Sequence, residues 1–357
     1  MIVSANQLVA GCIVTADVIG KSGLPLVKNK TTLTESEIFY LQKLLVKKVP
    51  VASHLEDGTS FVPSKEPVQP KKRKKEVRFL DALEAAADVY QKQFASWQHG
   101  AAVDVSSLRQ MLLPVMEKAA SWEGNIFNLP SYRMQTDYVS DHAIGMALLA
   151  AAVLQKAGYT EADVNQTALA ALLADCGMAK LKQPYYLQKR TLHTQEREDI
   201  EKHPTLSYRM IEQVSLLSTK AKLTILQHHE RADGTGYPLR LGKDKIHPFA
   251  SLVSICDTYH ALISERAYQQ AVSPYRAVEI ILEEQFERFD PSMVQAFMQA
   301  FLDAQQKTIV RLSSGQLAEI VFTDSSNPPK PMVRELESGE VKAMNEYPDL
   351  YIEEIIK

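Results

Sequence analysis

The chain has 357 residues, of which 45% are hydrophobic and 23% are charged, with 40 basic and 43 acidic side chains. This length and average composition predict about two or three globular domains and exclude a disordered chain, a collagen-like fibre and a coiled-coil rod. A net charge of −3 gives no general attraction to nucleic acid or to anionic membranes. The three cysteines stand far apart at positions 12, 176 and 256, which excludes a disulfide framework and a thiolate zinc cluster and suits a reducing compartment.

The start of the chain has no basic segment followed by an apolar one, so we predict no signal peptide. The longest nearly uncharged stretch, residues 143–155, is shorter than the ~20 residues that a membrane span needs. We therefore expect a cytoplasmic protein without a membrane span.

Residues 1–62 predict a small α+β accessory domain. Short apolar runs at 13–14 and 24–27 are separated by Gly20 and Gly23, which is typical of strands and turns, and Pro25 favours a sheet edge. Apolar residues at helical spacing after Thr34 predict a helix.

Residues 63–77 predict a linker that is rich in proline and lysine. Its basic run, Lys71 to Lys75, is either a solvated tether or a patch for nucleic acid or anionic lipid. No aromatic residue interleaves the lysines, which favours the tether. We therefore expect no nucleic-acid partner.

Residues 78–303 show an almost wholly helical pattern, and residues 304–357 predict a short β extension. The extension begins with a hairpin, 309–312 and 317–322 around a Ser-Ser-Gly turn, and has weaker strand candidates near Val341 and Tyr351. The predicted fold class is therefore mainly α: a helical domain between a small α+β domain and a β extension.

Several apolar helical segments each deliver an imidazole or a carboxylate at what we expect to be a buried helix end. A lone charge there is unfavourable, so it must be paired, protonated or bound to a metal. Imidazoles with carboxylates suit Fe, Mn, Zn, Ni or Cu. The candidates are His142, Asp175, His203, His228, His229 and Asp257.

The segment from His228 to Pro238, HHERADGTGYP, joins two of these candidates to a glycine loop. Glycine lets backbone approach a ligand closely, and Tyr237 offers a ring for contact with a base or sugar. Eleven residues in this order are a specific pattern.

This segment resembles the signature of the HD-GYP family, metal-dependent phosphodiesterases that hydrolyse cyclic di-GMP, and the resemblance covers about residues 130–303. It implies a helical HD-type domain with a two-metal centre, Fe or Mn most of all, and the products pGpG or GMP. It assigns the six candidates to the metals, with Asp175 as the catalytic residue. It assigns substrate contacts to four residues: Gly236, Tyr237, Pro238 and Arg266.

The sequence departs from the family pattern HDxGK, because Ala174 and Met178 replace its histidine and its lysine. One metal position thereby loses one of four protein ligands, which weakens a site without abolishing it. Lys180 on another helical face and His260, three residues after Asp257, are candidate replacements; otherwise His260 either supports a ligand from behind or lies at the surface. Cys176 and Cys256 adjoin the two aspartates, either as thiolate ligands or as small apolar core residues.

Two functions therefore stay open. The first is a cyclic di-GMP phosphodiesterase with an altered first metal position. The second is a degenerate domain that binds a cyclic dinucleotide or a signalling protein and does not hydrolyse. The oligomeric state is not predicted.

Overall fold

The structure, a computed structural model, describes residues 1–19, 25–34, 37–38, 41, 46–63, 74–122, 124–132, 137–185, 188, 190, 192–265, 270–284, 288–305, 308–324 and 327–356. The chain is mainly α-helical, as predicted, and the described part has ten α-helices with small sheets toward both termini. It divides into two compact units, residues 1–74 with 334–341 and residues 75–333 with 342–357.

The first unit has an antiparallel three-stranded sheet in the order β1-β5-β2 and a two-stranded sheet of β3 and β4. These strands are β1 Ile2–Val3, β2 Cys12–Val14, β3 Val18–Ile19, β4 Pro25–Val27 and β5 Val49–Leu55. Pro25 pairs with Ile19 in the two-stranded sheet, where both strands are edges, as its missing N–H requires. Of the helix predicted after Thr34, Ile38 and Leu41 are helical and buried. Gly20 and Gly23 lie outside the described residues.

The second unit contains the ten helices. They are α1 Lys74–Gln98, α2 Val105–Ala120, α3 Tyr138–Lys156, α4 Glu161–Leu173, α5 Thr194–Ile200, α6 His203–Ile211, α7 Thr219–Gln227, α8 Pro248–Ile263, α9 Pro274–Glu284 and α10 Pro291–Ala304. Helix α1 begins within the predicted linker, most of which, with Lys71 to Arg73, lies outside the described residues.

Helix α3 forms the centre of this unit and packs against α4, α8 and α10. Its N-terminus is fixed by Asp137, whose carboxylate accepts a hydrogen bond from the backbone N–H of Ser140 at 3.2 Å. Nearly every residue from His142 to Leu154 is buried, because α3 is apolar on all sides. Its Ala-rich sequence allows the close helix packing that brings the neighbouring helix ends together.

The chain ends in a five-stranded sheet with the order β10-β6-β7-β8-β9. Its strands are β6 Ile309–Leu312, β7 Leu317–Phe322, β8 Met332–Glu335, β9 Val341–Ala343 and β10 Ile352–Ile355. The predicted hairpin is present, since β6 pairs antiparallel with β7 and Val310 lies opposite Ala318. The weaker candidates near Val341 and Tyr351 correspond to β9 and β10.

Among the described helices, α3 alone is long and apolar enough to cross a membrane by length and composition. However, 72% of its most apolar window is buried inside the protein, as in the core helix of a globular domain.

Candidate metal centre

Five helices hold the six candidate ligands on themselves or at their ends. His142 lies near the start of α3, one turn after Tyr138. Asp175 follows the C-terminus of α4 and precedes a 3-10 turn, Cys176–Lys180, while His203 begins α6 and His228 and His229 follow α7. These four stand at helix ends, as expected. Asp257 lies inside α8, which continues to Ile263, so a helix end was the wrong expectation for this residue.

The turn after Asp175 is held tightly against the start of α6. The hydroxyl of Ser207 donates to the carbonyl of Ala174 at 2.6 Å and accepts from the backbone N–H of Gly177 at 2.8 Å. A Cβ on Gly177 would lie 2.3 Å from the carbonyl oxygen of His203, so only glycine permits this approach. The contact fixes the spacing of Asp175 and His203.

One cluster joins Asp175 to three histidines. Asp175 Oδ1 lies 3.1 Å from His203 Nε2 and 3.6 Å from His228 Nε2. Together with His229, these residues present one ligand atom each within 4.8 Å of one another. His203 and His228 are fully buried, whereas Asp175 and His229 keep 16% of their side-chain surface exposed. The cluster is therefore closed at its base and open to solvent on one side.

Hydrogen bonds to the backbone determine which ring nitrogens face inward. His203 Nδ1 lies 2.7 Å from the carbonyl of Ile200, and His228 Nδ1 lies 2.8 Å from that of Ile225. Because a carbonyl only accepts, each Nδ1 carries the proton and each neutral ring presents a lone pair on Nε2. The two Nε2 atoms face each other at 3.3 Å, beside a carboxylate.

This arrangement brings electron-rich atoms together without a donor among them when both rings are neutral. A divalent cation satisfies such a set, and a backbone hydrogen bond on the other ring nitrogen is the usual support of a metal-ligating histidine. The residues therefore fit a divalent metal.

A second cluster shares Asp175 with the first. His142 Nε2 lies 3.0 Å from Asp257 Oδ1 and 3.7 Å from Asp175 Oδ2. The other oxygen of Asp257 lies 3.6 Å from His229 Nδ1. Each aspartate thus directs one oxygen toward each cluster.

The charges agree with this geometry. Burial raises the pKa of Asp175, but hydrogen bonds and charge from His203 and His228, in the state where these rings are protonated and no metal is bound, outweigh it and hold the pKa well below its usual value. The pKa of Asp257 is likewise lowered, because His142 and His229 outweigh its burial. Burial and the charge of His228 hold the pKa of His229 well below its ordinary value. The site presents two carboxylates and a neutral imidazole at neutral pH.

The glycine loop folds back over the histidine pair. The backbone N–H of Tyr237 donates to the carbonyl of His229 at 3.1 Å, and the two rings stack with centroids 4.7 Å apart. A Cβ on Gly236 would lie 2.3 Å from the backbone nitrogen of Arg231, so the loop requires glycine there. Pro238 follows in a cis peptide. Burial raises the pKa of Tyr237 well above its usual value, which keeps a neutral phenol beside the cluster.

Three residues near the site carried no assigned role in the sequence. Glu230 is buried, and its carboxylate accepts from the N–H groups of Leu239 at 2.6 Å and Leu241 at 2.8 Å. Tyr138 stacks on His142 one helical turn away, and Gly145 lies against His260. A glutamate directly after the histidine pair, and an aromatic residue four positions before a histidine, are the signals that would have found the first two.

Of the two candidate replacements, His260 lies against His142, with their Nδ1 atoms 3.1 Å apart, whereas Lys180 is directed to another part of the domain. Lys180 Nζ donates to the carbonyl of Trp97 at 2.6 Å, at the end of α1. Burial raises the pKa of Cys176 to about 12 and also raises that of Cys256, and both side chains are part of the apolar core. Met178 packs against that core as well. Arg266 lies outside the described residues.

Comparison with known proteins identifies the helical part of the chain. Residues 125–293 match the sequence profile described as HD domain. The chain is 28% identical over 221 residues to "Cyclic di-GMP phosphodiesterase PdeB" of Borreliella burgdorferi, covering 62% of this chain and 58% of that protein. It is 26% identical over 228 residues to a cyclic di-GMP phosphodiesterase of Pseudomonas aeruginosa, covering 64% and 55%. The chain thus spans little more than half the length of these relatives.

Among solved structures, the chain is similar to an HDG"Y"P protein of Bdellovibrio bacteriovorus. The TM-score is 0.47 at 16% identity, and the match covers 83% of this chain and 97% of the other.

Residues 125–293 of the chain are therefore similar to an HD domain. The matched residues contain the HHERADGTGYP segment, and alanine stands at position 174 where the HD pair has a histidine.

Proposed function

We propose that this chain is a metal-dependent phosphodiesterase that hydrolyses cyclic di-GMP to pGpG or GMP at the cluster of histidines and aspartates, with one weakened metal position. Support for the substrate comes from the names of its relatives. Iron or manganese is the proposed metal, since imidazole with carboxylate suits both. The buried, unpaired cysteines suit the cytoplasm as its location.

The observation that carries this proposal is the position of Asp175 between two clusters. One oxygen lies 3.1 Å from His203 Nε2 and the other lies 3.7 Å from His142 Nε2. We assign the metal positions to six residues: His142, Asp175, His203, His228, His229 and Asp257. Asp175 is the proposed catalytic residue, because it alone contacts the buried histidines of both clusters.

Bound metals would polarise a phosphoryl oxygen and lower the pKa of water. In the hydrolysis, water oxygen bonds to phosphorus, the bond from phosphorus to the 3′ oxygen breaks, and that oxygen leaves with a proton. The chain orients the ligands through the hydrogen bonds of His203 and His228 to backbone carbonyls. The ring of Tyr237 offers a surface for a base or sugar at the open side, and we assign substrate contacts also to Gly236, Pro238 and Arg266.

The test is hydrolysis by the purified full chain. Metal-free protein is loaded with Mn²⁺ or, without oxygen, Fe²⁺, and incubated with cyclic di-GMP, and products are separated by chromatography. We expect pGpG or GMP to form with the wild type and not with His228→Ala. Equal product from both proteins, or none from either, would overturn the proposed activity. A cyclic dinucleotide with one adenine tests whether the site requires two guanines.

A second function is favoured by one observation: Lys180, the candidate replacement for the missing lysine, is hydrogen-bonded away from the clusters. Ala174 provides no ligand, Met178 packs against the core and Lys180 is bonded to Trp97. In this alternative, the domain binds a cyclic dinucleotide or a signalling protein without hydrolysis. Calorimetry with cyclic di-GMP distinguishes the two, since binding without turnover in metal-loaded protein supports the module and turnover excludes it.

A further inference from the structure

We propose that His260 is a positioning residue that holds His142 in its metal-binding orientation, and that Gly145 provides the space that this requires. The inference rests on the metal centre of the proposed function and not on its substrate. It concerns a residue three positions after Asp257 that provides no ligand atom of its own to the clusters described above.

The two histidines meet in the interior of the domain. His142 Nδ1 lies 3.1 Å from His260 Nδ1, and both side chains are almost fully buried, with exposures of 3% and 2%. The rings meet edge to face, with centroids 5.1 Å apart. The opposite nitrogen of His142, Nε2, is the atom that faces Asp257 and Asp175. His260 thus contacts His142 on the side that faces away from the metal cluster.

The chemistry of imidazole determines the direction of this hydrogen bond. If His142 binds a metal through Nε2, the neutral ring carries its proton on Nδ1 and donates from there. The lone pair of His260 Nδ1 is then the acceptor. Ser264 Oγ also lies 3.2 Å from His260 Nδ1, and the Tyr138 hydroxyl lies 3.3 Å from His142 Nδ1. These contacts fix the rotation of the His142 ring.

The space for His260 comes from a glycine inside a helix. A Cβ on Gly145 would lie 2.0 Å from His260 Nε2 and 2.2 Å from its Cδ2. Any other residue at position 145 therefore displaces the ring of His260. Glycine is unfavourable inside a helix compared with alanine, so its presence within buried α3 requires a local reason. The ring of His260 provides that reason.

The support that His260 gives to His142 matters most at the metal position that lacks the ligand expected at residue 174. Of its four expected protein ligands, the alanine at 174 leaves His142, Asp175 and Asp257. A position with fewer ligands depends more on the orientation of each, and loss of a support behind a ligating histidine typically weakens metal affinity by about 10–100-fold.

The experiment is a double-mutant cycle with a metal readout. Wild type, Gly145→Ala, His260→Ala and the double variant are made metal-free and titrated with Mn²⁺, and free Mn²⁺ is measured by electron paramagnetic resonance. We expect each single change to lower the Mn²⁺ affinity of the weaker metal position by about 10–100-fold. We expect Gly145→Ala to add no further loss in the His260→Ala background, where its methyl group has space.

Two matched variants separate positioning from simple packing. His260→Asn retains an acceptor near the position of Nδ1 and should keep most of the affinity, whereas His260→Phe fills the space without an acceptor and should not. Thermal unfolding of the metal-free proteins identifies any variant that fails to fold. Equal Mn²⁺ affinity in the wild type, His260→Ala and His260→Phe would overturn the proposal.

A second readout keeps the inference separate from the proposed function. Nitrogen-15 correlation spectra of imidazole report which ring nitrogen carries the proton. In metal-free protein Nε2 of His142 lies 3.0 Å from the acceptor Asp257 Oδ1, so the partner of Nδ1 is the variable. We expect the Nδ1 resonance of His142 to shift in His260→Ala, because that change removes the group 3.1 Å from this nitrogen. A wild type that binds no metal would overturn the proposed function, and an unchanged His142 spectrum in His260→Ala would overturn the present inference.

Discussion

At the scale of single residues, the departure at Ala174 determines what the centre can do. Its side chain is fully buried beside Asp175, and its carbonyl is held by Ser207. The backbone at this position is therefore fixed beside the metal cluster even though the side chain carries no donor atom. Relative to the HD pair, the alanine at 174 changes the proposed set of ligands and not the backbone that holds them.

We expect the double change Ala174→His, Met178→Lys to increase both bound metal and hydrolysis. The new imidazole supplies the missing donor, and an added ligand raises metal affinity. Metal per chain is measured by elemental analysis after passage over a chelating resin, alongside the rate of cyclic di-GMP hydrolysis. Met178→Lys alone serves as the control and should leave metal content unchanged. Lower metal content in the double variant would contradict the assignment of Ala174 to a metal position.

Lys180, in contrast to Ala174, should have no role in metal binding, because its Nζ donates to the carbonyl of Trp97 at the end of α1. We expect Lys180→Met to leave metal content and hydrolysis unchanged. It should lower the free energy of unfolding by about 0.5–1.5 kcal/mol, since a hydrogen bond at a helix C-terminus is lost. Urea denaturation and elemental analysis measure the two quantities. Loss of metal in a folded Lys180→Met protein would show that Lys180 acts at the centre.

At the scale of elements, Glu230 links the histidine pair to the exit of the glycine loop. Its buried carboxylate accepts from two backbone N–H groups, those of Leu239 and Leu241, beyond Pro238. A carboxylate is suited to this place because both of its oxygens are acceptors. The loop that stacks Tyr237 on His229 is thereby closed at its far end.

We expect Glu230→Gln to destabilise the protein by about 1–3 kcal/mol. The amide keeps one acceptor and turns a donor toward a backbone N–H, which leaves a buried donor unsatisfied. Hydrogen exchange at Leu239 and Leu241 should accelerate, and urea denaturation gives the free energy. Glu201→Gln, a change of the same type near the start of α6, is the matched control. Protected amides at both positions in the variant would show that the loop does not depend on Glu230.

Much at this scale could be predicted from sequence. Period and turn residues located the β6–β7 hairpin and the helices that carry the histidines, because both depend on neighbouring residues. The place of Asp257 could not be derived in this way, since the helix continues past it to Ile263 and its burial depends on α3. The contact between His260 and His142 joins residues 118 positions apart, and the glycine that permits it lies on α3 beside His142, far in sequence from His260.

At the scale of the whole molecule, the centre joins residues from 142 to 257, so the groups that form it are together only in the folded chain. Folding there brings carboxylates and imidazoles out of water. The free energy of unfolding of the metal-free protein therefore depends on which of these groups are protonated. The groups that contribute are those whose pKa values are shifted.

The stability of the metal-free protein depends on pH through two of its buried histidines. Burial, with the charge of His228, lowers the pKa of His229, and burial with the charge of Lys220 lowers that of His247. Below the ordinary histidine pKa of about 6.5, the unfolded chain takes up protons at these positions that the folded chain does not. The free energy of unfolding that these two histidines contribute above that pH is therefore lost as the pH falls.

Asp175 and Asp257 act in the same direction at lower pH, because their folded pKa values lie below those of the unfolded chain. Their contribution is present above about pH 4 and is lost below it as the unfolded carboxylates protonate. We expect urea denaturation of metal-free protein to give a free energy of unfolding that falls from pH 7.5 to 5.5 and falls further below pH 4. In His229→Gln the first decline should be smaller, since one of the buried neutral imidazoles is gone. A free energy of unfolding that rises between pH 7.5 and 5.5 would contradict the neutral state of His229 on which the metal centre depends.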